Sequence, residues 1–265
     1  MKKVWLITGA SRGLGFAWAK SALARGDLVI GAARNINNLD VLKQEYSSNF
    51  ISVQMDVTSE ASIKKAVKEG IKLFKKIDVL INNAGYGLFS PVETATEQDS
   101  HNVFETNFFG SLRVIQEVLP IMKQQKHGHI IQISSIAGLV NFPGIGLYNA
   151  SKSAIESLIE SLNLEIQNTG IKTSIVEPGP HATDWIDKSS VSPEYDTSYP
   201  TKKEFIEKFW PRLPLSKTEN AVQPMLDLVD SKTPPFRLVI GDGLKKLIKD
   251  SLKLQIENIN FYHES

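Results

Sequence analysis

The chain has 265 residues, of which 42% are apolar and 22% are charged, proportions typical of a soluble globular protein with a full hydrophobic core. Its formal net charge of +1 provides no global field that would attract nucleic acid or an anionic membrane. The lack of cysteine excludes disulfides, thiolate metal sites and a cysteine nucleophile, and it is compatible with a reducing compartment. No stretch approaches the roughly 18 apolar residues of a membrane span. We therefore expect a cytoplasmic protein without a nucleic-acid or membrane partner.

Short apolar or β-branched runs alternate with amphipathic stretches along the chain. The runs, which we predict to be strands, are Val4–Thr8, Leu28–Ala33, Ile51–Gln54, Val79–Asn82, His129–Ile133, Thr173–Val176 and Arg237–Ile240. The predicted helices are Leu14–Ala24, Asn38–Tyr46, Ser62–Phe74, Gln98–Lys123, Ala154–Gln167 and Glu219–Val229. This alternation predicts an α/β fold, a Rossmann-like doubly wound parallel sheet of about seven strands with helices on both faces, in a single domain spanning residues 1–265.

The alternation is interrupted once, between Pro178 and about Lys217. Five further prolines and six scattered aromatic residues occur in this segment. We interpret residues 180–217 as a substrate loop or lid inserted before the last helix and strand, because long segments of this kind in an α/β domain usually carry function. The alternative is a surface insertion that covers a hydrophobic patch.

A glycine-rich turn follows the first predicted strand and opens into a helix. Glycines allow the backbone to turn sharply and to approach a pyrophosphate closely, while the helix N-terminus beyond them supplies unpaired N–H groups. The order strand, turn, helix is the context in which such a motif predicts dinucleotide binding, although a purely structural turn is the alternative. The cofactor residues predicted in this turn are Gly9, Ser11, Arg12, Gly13, Leu14 and Gly15.

The end of the second predicted strand bears on the choice of cofactor. A chain that prefers NAD usually carries an acidic residue there, which binds the adenosine ribose. Here Arg34 follows Ala33 and no acid is present. Arg34 and Arg12 could bind a 2′-phosphate through charged hydrogen bonds of about 1.5–3 kcal/mol each. The pattern favours NADP(H); NAD(H) is the weaker alternative, if Arg34 instead stacks on adenine or is solvated.

Tyr148 and Lys152 lie four residues apart, so on a helix their side chains share one face. A phenol with a pKa near ~10 is a poor acid or base at neutral pH, and a neighbouring cation favours the phenolate. We expect Lys152 to lower the pKa of Tyr148. A shift of about three units requires roughly 4 kcal/mol, so a second positive charge such as an oxidised nicotinamide would help. Taken alone, the pair also fits a half-buried tyrosine beside a solvated lysine.

Together these motifs resemble the short-chain dehydrogenase/reductase family in its compact single-domain type. The similarity runs from about Lys3 to Thr183 and includes Thr-Gly-x-x-x-Gly-x-Gly at Thr8, Asn-Asn-Ala-Gly at Asn82 and Pro-Gly-x-x-x-Thr at Pro178. The resemblance implies a catalytic tetrad of Asn107, Ser135, Tyr148 and Lys152. It also implies cofactor contacts from Asp56, Val57, Asn83, Ala84, Gly85, Tyr148, Lys152, Pro178, Gly179 and Thr183.

The resemblance further implies a mechanism in which hydride passes from the nicotinamide to a carbonyl carbon while Tyr148 protonates the oxygen. Ser135 would hydrogen-bond that oxygen and stabilise its developing charge. Lys152 would hold the nicotinamide ribose, and Asn107 would bend its helix and anchor a water that links Lys152 to solvent. The implied assembly is a homodimer or homotetramer.

Several polar residues near these motifs have simpler interpretations. Ser134 is interpreted as structural, because its neighbour Ser135 has the catalytic spacing. Asp56 could simply cap the helix that follows it. His127 and His129 alternate at strand spacing without further ligands, so no metal site is predicted. His181 lies beside the expected nicotinamide, where we interpret it as a backbone-contact position.

The combined prediction is an NADP(H)-dependent oxidoreductase that interconverts a small-molecule alcohol and its carbonyl. Bulky, mostly apolar residues are expected to line the substrate pocket and favour a hydrophobic or ring-bearing substrate. They are Tyr86, Leu88, Ile136, Leu139, Phe142, Trp185, Tyr195 and Tyr199. The alternatives are a non-catalytic NADP(H)-sensing regulatory protein and an epimerase or dehydratase of the extended type.

Overall fold

A parallel sheet of seven strands forms the centre of the molecule. The computed structural model describes residues 2–181, 190–193, 199–209 and 215–259. In spatial order the strands are β3 (Phe50–Gln54), β2 (Leu28–Ala33), β1 (Val4–Thr8), β4 (Val79–Asn82), β6 (Gly128–Ile133), β7 (Ile171–Pro178) and β9 (Arg237–Ile240). The predicted Rossmann-like α/β fold with about seven parallel strands is confirmed.

Helices cover both faces of this sheet. The helices of the described residues are α1 (Gly13–Ala24), α2 (Asp40–Glu45), α3 (Glu60–Phe74), α4 (Glu97–Phe104), α5 (Ser111–Gln125), α6 (Gly146–Glu165), α7 (Lys202–Phe209), α8 (Val222–Asp230) and α9 (Leu244–Glu257). The helix predicted over Gln98–Lys123 is interrupted by a π-helical segment, Glu105–Gly110, which separates α4 from α5. α9 has no counterpart among the predicted helices.

Alternate residues of β1 enter two different cores because successive side chains of a strand point to opposite faces. Val4 and Leu6 pack with residues of α3, α5 and α6. Trp5 and Ile7 pack with residues of α1, α2 and α8 on the other face. All five residues of β1 are buried, which explains why a fully covered parallel strand reads as a continuous apolar run in the sequence.

The chain leaves β1 in one direction, through β2 to β3, and returns to build the other half of the sheet from β4 outward. In open α/β sheets, the point where the strand order reverses leaves a crevice at the carboxyl ends of the strands. Here that point lies between β1 and β4, where the glycine turn follows the end of β1.

The described parts of the 180–217 segment contain two elements. β8 (Ser190–Val191) pairs in parallel with β5 (Gly87–Leu88), and α7 brings the buried Phe205 towards the crevice. The role of this segment as a lid stays a prediction. Among the described helices, none combines the length and apolar character needed to cross a membrane.

Candidate active site

The glycine turn is locked to the neighbouring strand by Thr8 and Asn83. The hydroxyl of Thr8 accepts hydrogen bonds from the backbone N–H groups of Asn83 and Ala84, each at 2.9 Å. The side-chain amide of Asn83 donates to the carbonyl of Thr8 at 2.9 Å and to that of Gly9 at 3.3 Å. The ends of β1 and β4 are therefore fixed relative to each other at the reversal point of the sheet.

Two positions in this turn require glycine. Gly9 has a φ of +67°, and a Cβ added there would lie 2.9 Å from Asn83 Nδ2. A Cβ on Gly15 would lie 2.5 Å from the carbonyl oxygen of Gly9. The turn is thus a bare backbone cradle beside the N-terminus of α1, a shape suited to a pyrophosphate group.

One long cleft, with a volume of about 620 Å³, runs from this turn across the carboxyl ends of the strands to Phe205 of α7. Thr183 lies outside the described residues, whereas every other predicted cofactor residue lines the cleft. These are Gly9, Ser11, Arg12, Gly13, Leu14, Gly15, Arg34, Asp56, Val57, Asn83, Ala84, Gly85, Tyr148, Lys152, Pro178 and Gly179.

Tyr148, Lys152 and Ser135 converge at the far end of the cleft. The first two lie on α6, are each 6% exposed, and place the Lys152 Nζ atom 5.7 Å from the centre of the tyrosine ring. Lys152 Nζ donates to the carbonyl of Ile133 at 3.1 Å. Ser135, just beyond β6, shares a hydrogen bond with Tyr148. The alternative interpretation, a half-buried tyrosine beside a solvated lysine, is wrong because both side chains are buried.

Burial governs the protonation of this pair. It raises the pKa of Tyr148 to about 12, against the opposing effect of the hydrogen bond with Ser135. It also lowers the pKa of Lys152 to about 8, with the negative charge of Glu156 acting in the other direction. The expectation that Lys152 lowers the pKa of Tyr148 is therefore wrong for the protein alone, because burial disfavours the phenolate and only the hydrogen bond with Ser135 opposes it. A buried phenol of this kind holds its proton at neutral pH.

Asn107 lies behind these residues, in the π-helical segment. Its Oδ1 accepts from the backbone N–H of Tyr86 at 3.0 Å. Its Nδ2 donates to the carbonyl of Tyr86 at 3.0 Å and to the hydroxyl of Ser151 at 3.1 Å. The buried amide thus joins the chain beyond β4 to α6, and the wide turn around it interrupts the predicted helix.

The neighbouring polar residues have definite partners. Ser134 donates to Glu156, His127 contacts Asp78, and His129 contacts Ser174. His181 lines the cleft: its Nδ1 bonds the carbonyl of Gly179 at 2.8 Å, and its Nε2 is buried with no partner among the described residues.

The suggestion that Asp56 caps the following helix is wrong. Ser59 is the residue before α3, and its hydroxyl accepts from the backbone N–H of Ser62. Asp56 instead accepts from the N–H and hydroxyl of Thr58, at 2.9 and 2.8 Å, and closes a tight turn at the cleft.

The substrate end differs in part from the predicted set. Tyr86, Ile136 and Phe142 line the cleft. Leu88 and Leu139 do not, because Leu88 is buried in β5 and Leu139 packs against α9. Tyr199 donates to Glu93 away from the cleft, and Trp185 and Tyr195 lie outside the described residues.

Phe205 was not predicted as a pocket residue, yet it closes the end of the cleft. It packs in an apolar cluster with Phe89, Ala137, Ile145 and Tyr148. Its ring meets that of Phe89 edge-on, with centres 5.9 Å apart. Nothing in the local sequence marks this contact, because Phe205 and Tyr148 are brought together only by the tertiary fold.

Known proteins are similar to this chain in sequence and in fold. A family model described as short chain dehydrogenase matches residues 3–193. The chain is 37% identical over 246 residues to oxidoreductase BOA17 of Botryotinia fuckeliana, covering 91% of this chain and 89% of that protein. It is 34% identical over 275 residues to a 3-ketodihydrosphingosine reductase of Bacteroides thetaiotaomicron, covering 98% and 96%. The crystal structure of a short-chain dehydrogenase from Streptomyces avermitilis superposes with a TM-score of 0.89 at 32% identity, covering 97% and 94%.

The doubly wound sheet, the glycine cradle and the buried tyrosine define an oxidoreductase of the dinucleotide-binding α/β class. The chain belongs to the short-chain dehydrogenase family, whose members use nicotinamide dinucleotides and act on small molecules. The family predicted from the sequence motifs is confirmed.

Proposed function

We propose that this protein is an NADP(H)-dependent oxidoreductase that interconverts a hydrophobic or ring-bearing alcohol and its carbonyl, with Tyr148 as the acid and base. The observation that carries this proposal is the meeting of Tyr148, Lys152 and Ser135 at one end of a cleft whose other end is a glycine cradle. One bound molecule can therefore reach from the cradle to the reacting groups.

The preference for the phosphorylated cofactor is supported by the charges at the end of β2. Arg34 and Arg12 both line the cleft, and both are exposed. The backbone carbonyl of Arg34 accepts a hydrogen bond from the Gln54 side chain at 3.2 Å, which fixes the backbone of Arg34 at the cleft. Two exposed guanidinium groups without an acid at the strand end favour a 2′-phosphate over a 2′-hydroxyl.

The substrate end supports an apolar carbonyl compound. Phe142, Ile145 and Phe205 line the cleft around Tyr148, so a ligand beside the phenol meets mainly hydrocarbon. The similar protein from Bacteroides thetaiotaomicron is named as the reductase of a keto compound, which agrees with the reductive direction.

The residues of this chain have separate tasks in the proposed reaction. When bound, the dinucleotide supplies the hydride. Tyr148 holds its proton at neutral pH and donates it to the carbonyl oxygen as charge develops there. Ser135 adjoins the phenol and can donate a hydrogen bond to the same oxygen. Lys152 provides an ammonium beside the phenol and is oriented by the carbonyl of Ile133.

The test is the Tyr148→Phe variant, which keeps the ring and removes the hydroxyl. We expect NADPH binding, followed by fluorescence, to be unchanged, whereas turnover of a panel of ketones and aldehydes falls by about 10²–10⁴-fold, the range typical of general acid catalysis. The panel is run with NADPH and NADH, and turnover with NADH equal to that with NADPH would contradict the cofactor assignment. Near-normal turnover by the variant would contradict the role of Tyr148. Binding of NADPH without turnover of any compound by the unmodified protein would favour the non-catalytic sensor instead.

We further propose a homo-oligomer. Apolar side chains on the π-helical segment and on α6 remain exposed: Phe109 by 44% and Leu164 by 66%. Light scattering on the purified protein measures the mass, and a monomer at micromolar concentration would contradict this proposal.

A further inference from the structure

The end of β6 is connected to successive turns of α6 through neighbouring residues. The carbonyl of Ile133 accepts from Lys152, and Ser135 shares a hydrogen bond with Tyr148. Between them, the hydroxyl of Ser134 donates to Glu156 Oε1 at 2.5 Å. Glu156 follows Lys152 by four residues, so it continues the face of α6 that carries the reacting groups.

The carboxylate of Glu156 is enclosed. Its residue is 3% exposed, and its second oxygen accepts from Arg237 Nη1 at 2.8 Å. A Cβ on Gly138 would lie 2.0 Å from Oε1, so a glycine at that position leaves the room that the carboxylate occupies. Both oxygens therefore have a partner, and the group has a fixed position beneath the cleft.

Arg237 of β9 is the positively charged partner of Glu156, and two other carboxylates bind the same guanidinium. It also bonds Glu177 of β7, which is completely buried, and Glu160 of α6, whose side chain is 53% exposed. Burial, together with the charge of Glu156, raises the pKa of Glu177 to about 7. A buried charge without a partner costs several kcal/mol, so this shared guanidinium is what permits Glu156 to lie under the site.

We propose that Glu156 is a positioning residue for the proposed reaction: it holds Ser134, and thereby Ser135, in place, and it sets a buried negative charge one turn of α6 from Lys152. This inference rests on the proposed function. Ser134 and Ser135 are consecutive, so a fixed hydroxyl on the first restricts the backbone of the second. The negative charge of Glu156 raises the pKa of Lys152, which opposes the lowering that burial causes.

Among the described residues, several charged groups surround Lys152 and Glu156. Lys152 has Tyr148 and Glu156 on its own helix. Glu156 is faced by Arg237 from β9, Glu177 from β7, and Glu160 from α6. Only Glu156 among these carboxylates bonds Ser134. Glu160 contacts the same guanidinium from the solvent side, so it is a matched control for the loss of one carboxylate partner of Arg237.

The experiment compares Glu156→Gln with Glu160→Gln. In Glu156→Gln we expect kcat to fall at least about tenfold, equivalent to about 1.4 kcal/mol, with little change in KM. The pKa of Lys152 should fall, so the high-pH limb of kcat/KM for NADPH moves to lower pH. In Glu160→Gln, kcat and the position of the high-pH limb of kcat/KM should both equal those of the unmodified protein. Equal behaviour of the two variants, or a lower Tm for Glu156→Gln with normal kcat and pH profile, would overturn the positioning role.

Two further measurements keep the inference testable. Ser134→Ala removes only the hydroxyl, so we expect a smaller loss of kcat that does not add to that of Glu156→Gln in the double variant; additive losses would contradict the coupling. The titration of Lys152, followed by NMR with ¹³C-labelled lysine and assigned with Lys152→Arg, needs no substrate. A titration that does not move in Glu156→Gln would overturn the electrostatic role even if the unmodified protein turned over no compound, an outcome that contradicts the proposed function separately.

Discussion

The two ends of the cleft are built in different ways. The cofactor end consists of backbone that leaves neighbouring strands, fixed by short-range partners such as Thr8 and Asn83. The substrate end is assembled from β5, β6, α6 and α7, which are distant in sequence and meet through apolar side chains such as Phe89 and Phe205. A change at the cofactor end meets rigid backbone, whereas a change at the substrate end meets side chains that can repack. We therefore expect substitutions at the cofactor end to change NADPH binding more, and more uniformly, than substitutions at the substrate end.

The largest effect on NADPH binding is expected for Gly9→Ala. The residue has a φ of +67°, and the new Cβ would press on the Asn83 amide that ties β1 to β4. In the free variant the turn would shift to relieve overpacking worth about 1–3 kcal/mol, and restoring the cradle on binding would cost a similar amount, so NADPH affinity should fall by about ten- to hundredfold. Calorimetry of NADPH binding measures it. The matched control is Gly26→Ala, which has a φ of +92° and open space around its Cβ. A similar loss of affinity in the control would show that backbone strain, not the cradle, is responsible.

The second effect tests the charge at the end of β2. Arg34→Ala removes one charged contact to a 2′-phosphate, so the Kd for NADPH should rise by about tenfold or more, the value of roughly 1.5–3 kcal/mol for such a bond. The Kd for NADH should change little. Lys43→Ala removes an exposed cation of α2 that does not line the cleft, and it controls for net charge. Equal weakening of both dinucleotides by Arg34→Ala would indicate stacking on adenine instead.

The difference between the two ends also explains what could be predicted from the sequence. Buried parallel strands read as short apolar runs, so β1, β2 and β4 were predicted with their observed bounds. The bounds of β9 were also predicted, although only Ile240 of that strand is buried. The glycine turn and the Tyr148–Lys152 pair are local patterns in the sequence, and both lie at the cleft.

Contacts between distant segments could not be predicted in this way. Phe205 lies in a proline-rich stretch without a regular pattern, and Arg237 is one cation at the start of a strand. Their partners Tyr148 and Glu156 are known only once β9, α6 and α7 are placed. α9 did have apolar residues at helical spacing, Leu244, Ile248 and Leu252, but only the first two are buried. The π-helical segment has no sequence pattern of its own and appears where Asn107 bonds the chain after β4.

A third prediction concerns pH at the point where the two ends meet. Lys152 has a pKa of about 8 and Tyr148 of about 12, so the ammonium is lost first as the pH rises. Because kcat/KM for NADPH reports the free enzyme, it should fall as the pH increases through about 8. Below that value both groups hold their protons and this ratio should be level until other groups titrate. Steady-state kinetics from pH 6 to about 10 measures the profile. If the fall in kcat/KM occurs at the same pH in Lys152→Arg, a group other than Lys152 is responsible for it.

The smallest effect on NADPH binding is expected at the substrate end. Phe205→Ala removes a ring that covers Tyr148 and contacts Phe89, which widens the cleft without touching the cradle. We expect NADPH affinity to stay within about twofold, while selectivity shifts by roughly ten- to 200-fold at most towards bulkier ketones, the range that hydrophobic pockets provide. Competition between a small and a large ketone measures this ratio directly. Val92→Ala, at a side chain that is 75% exposed and does not line the cleft, is the control for loss of an apolar group elsewhere. If Phe205→Ala weakened NADPH binding as strongly as Gly9→Ala, the two ends of the cleft would be mechanically coupled and their separate construction would not govern function.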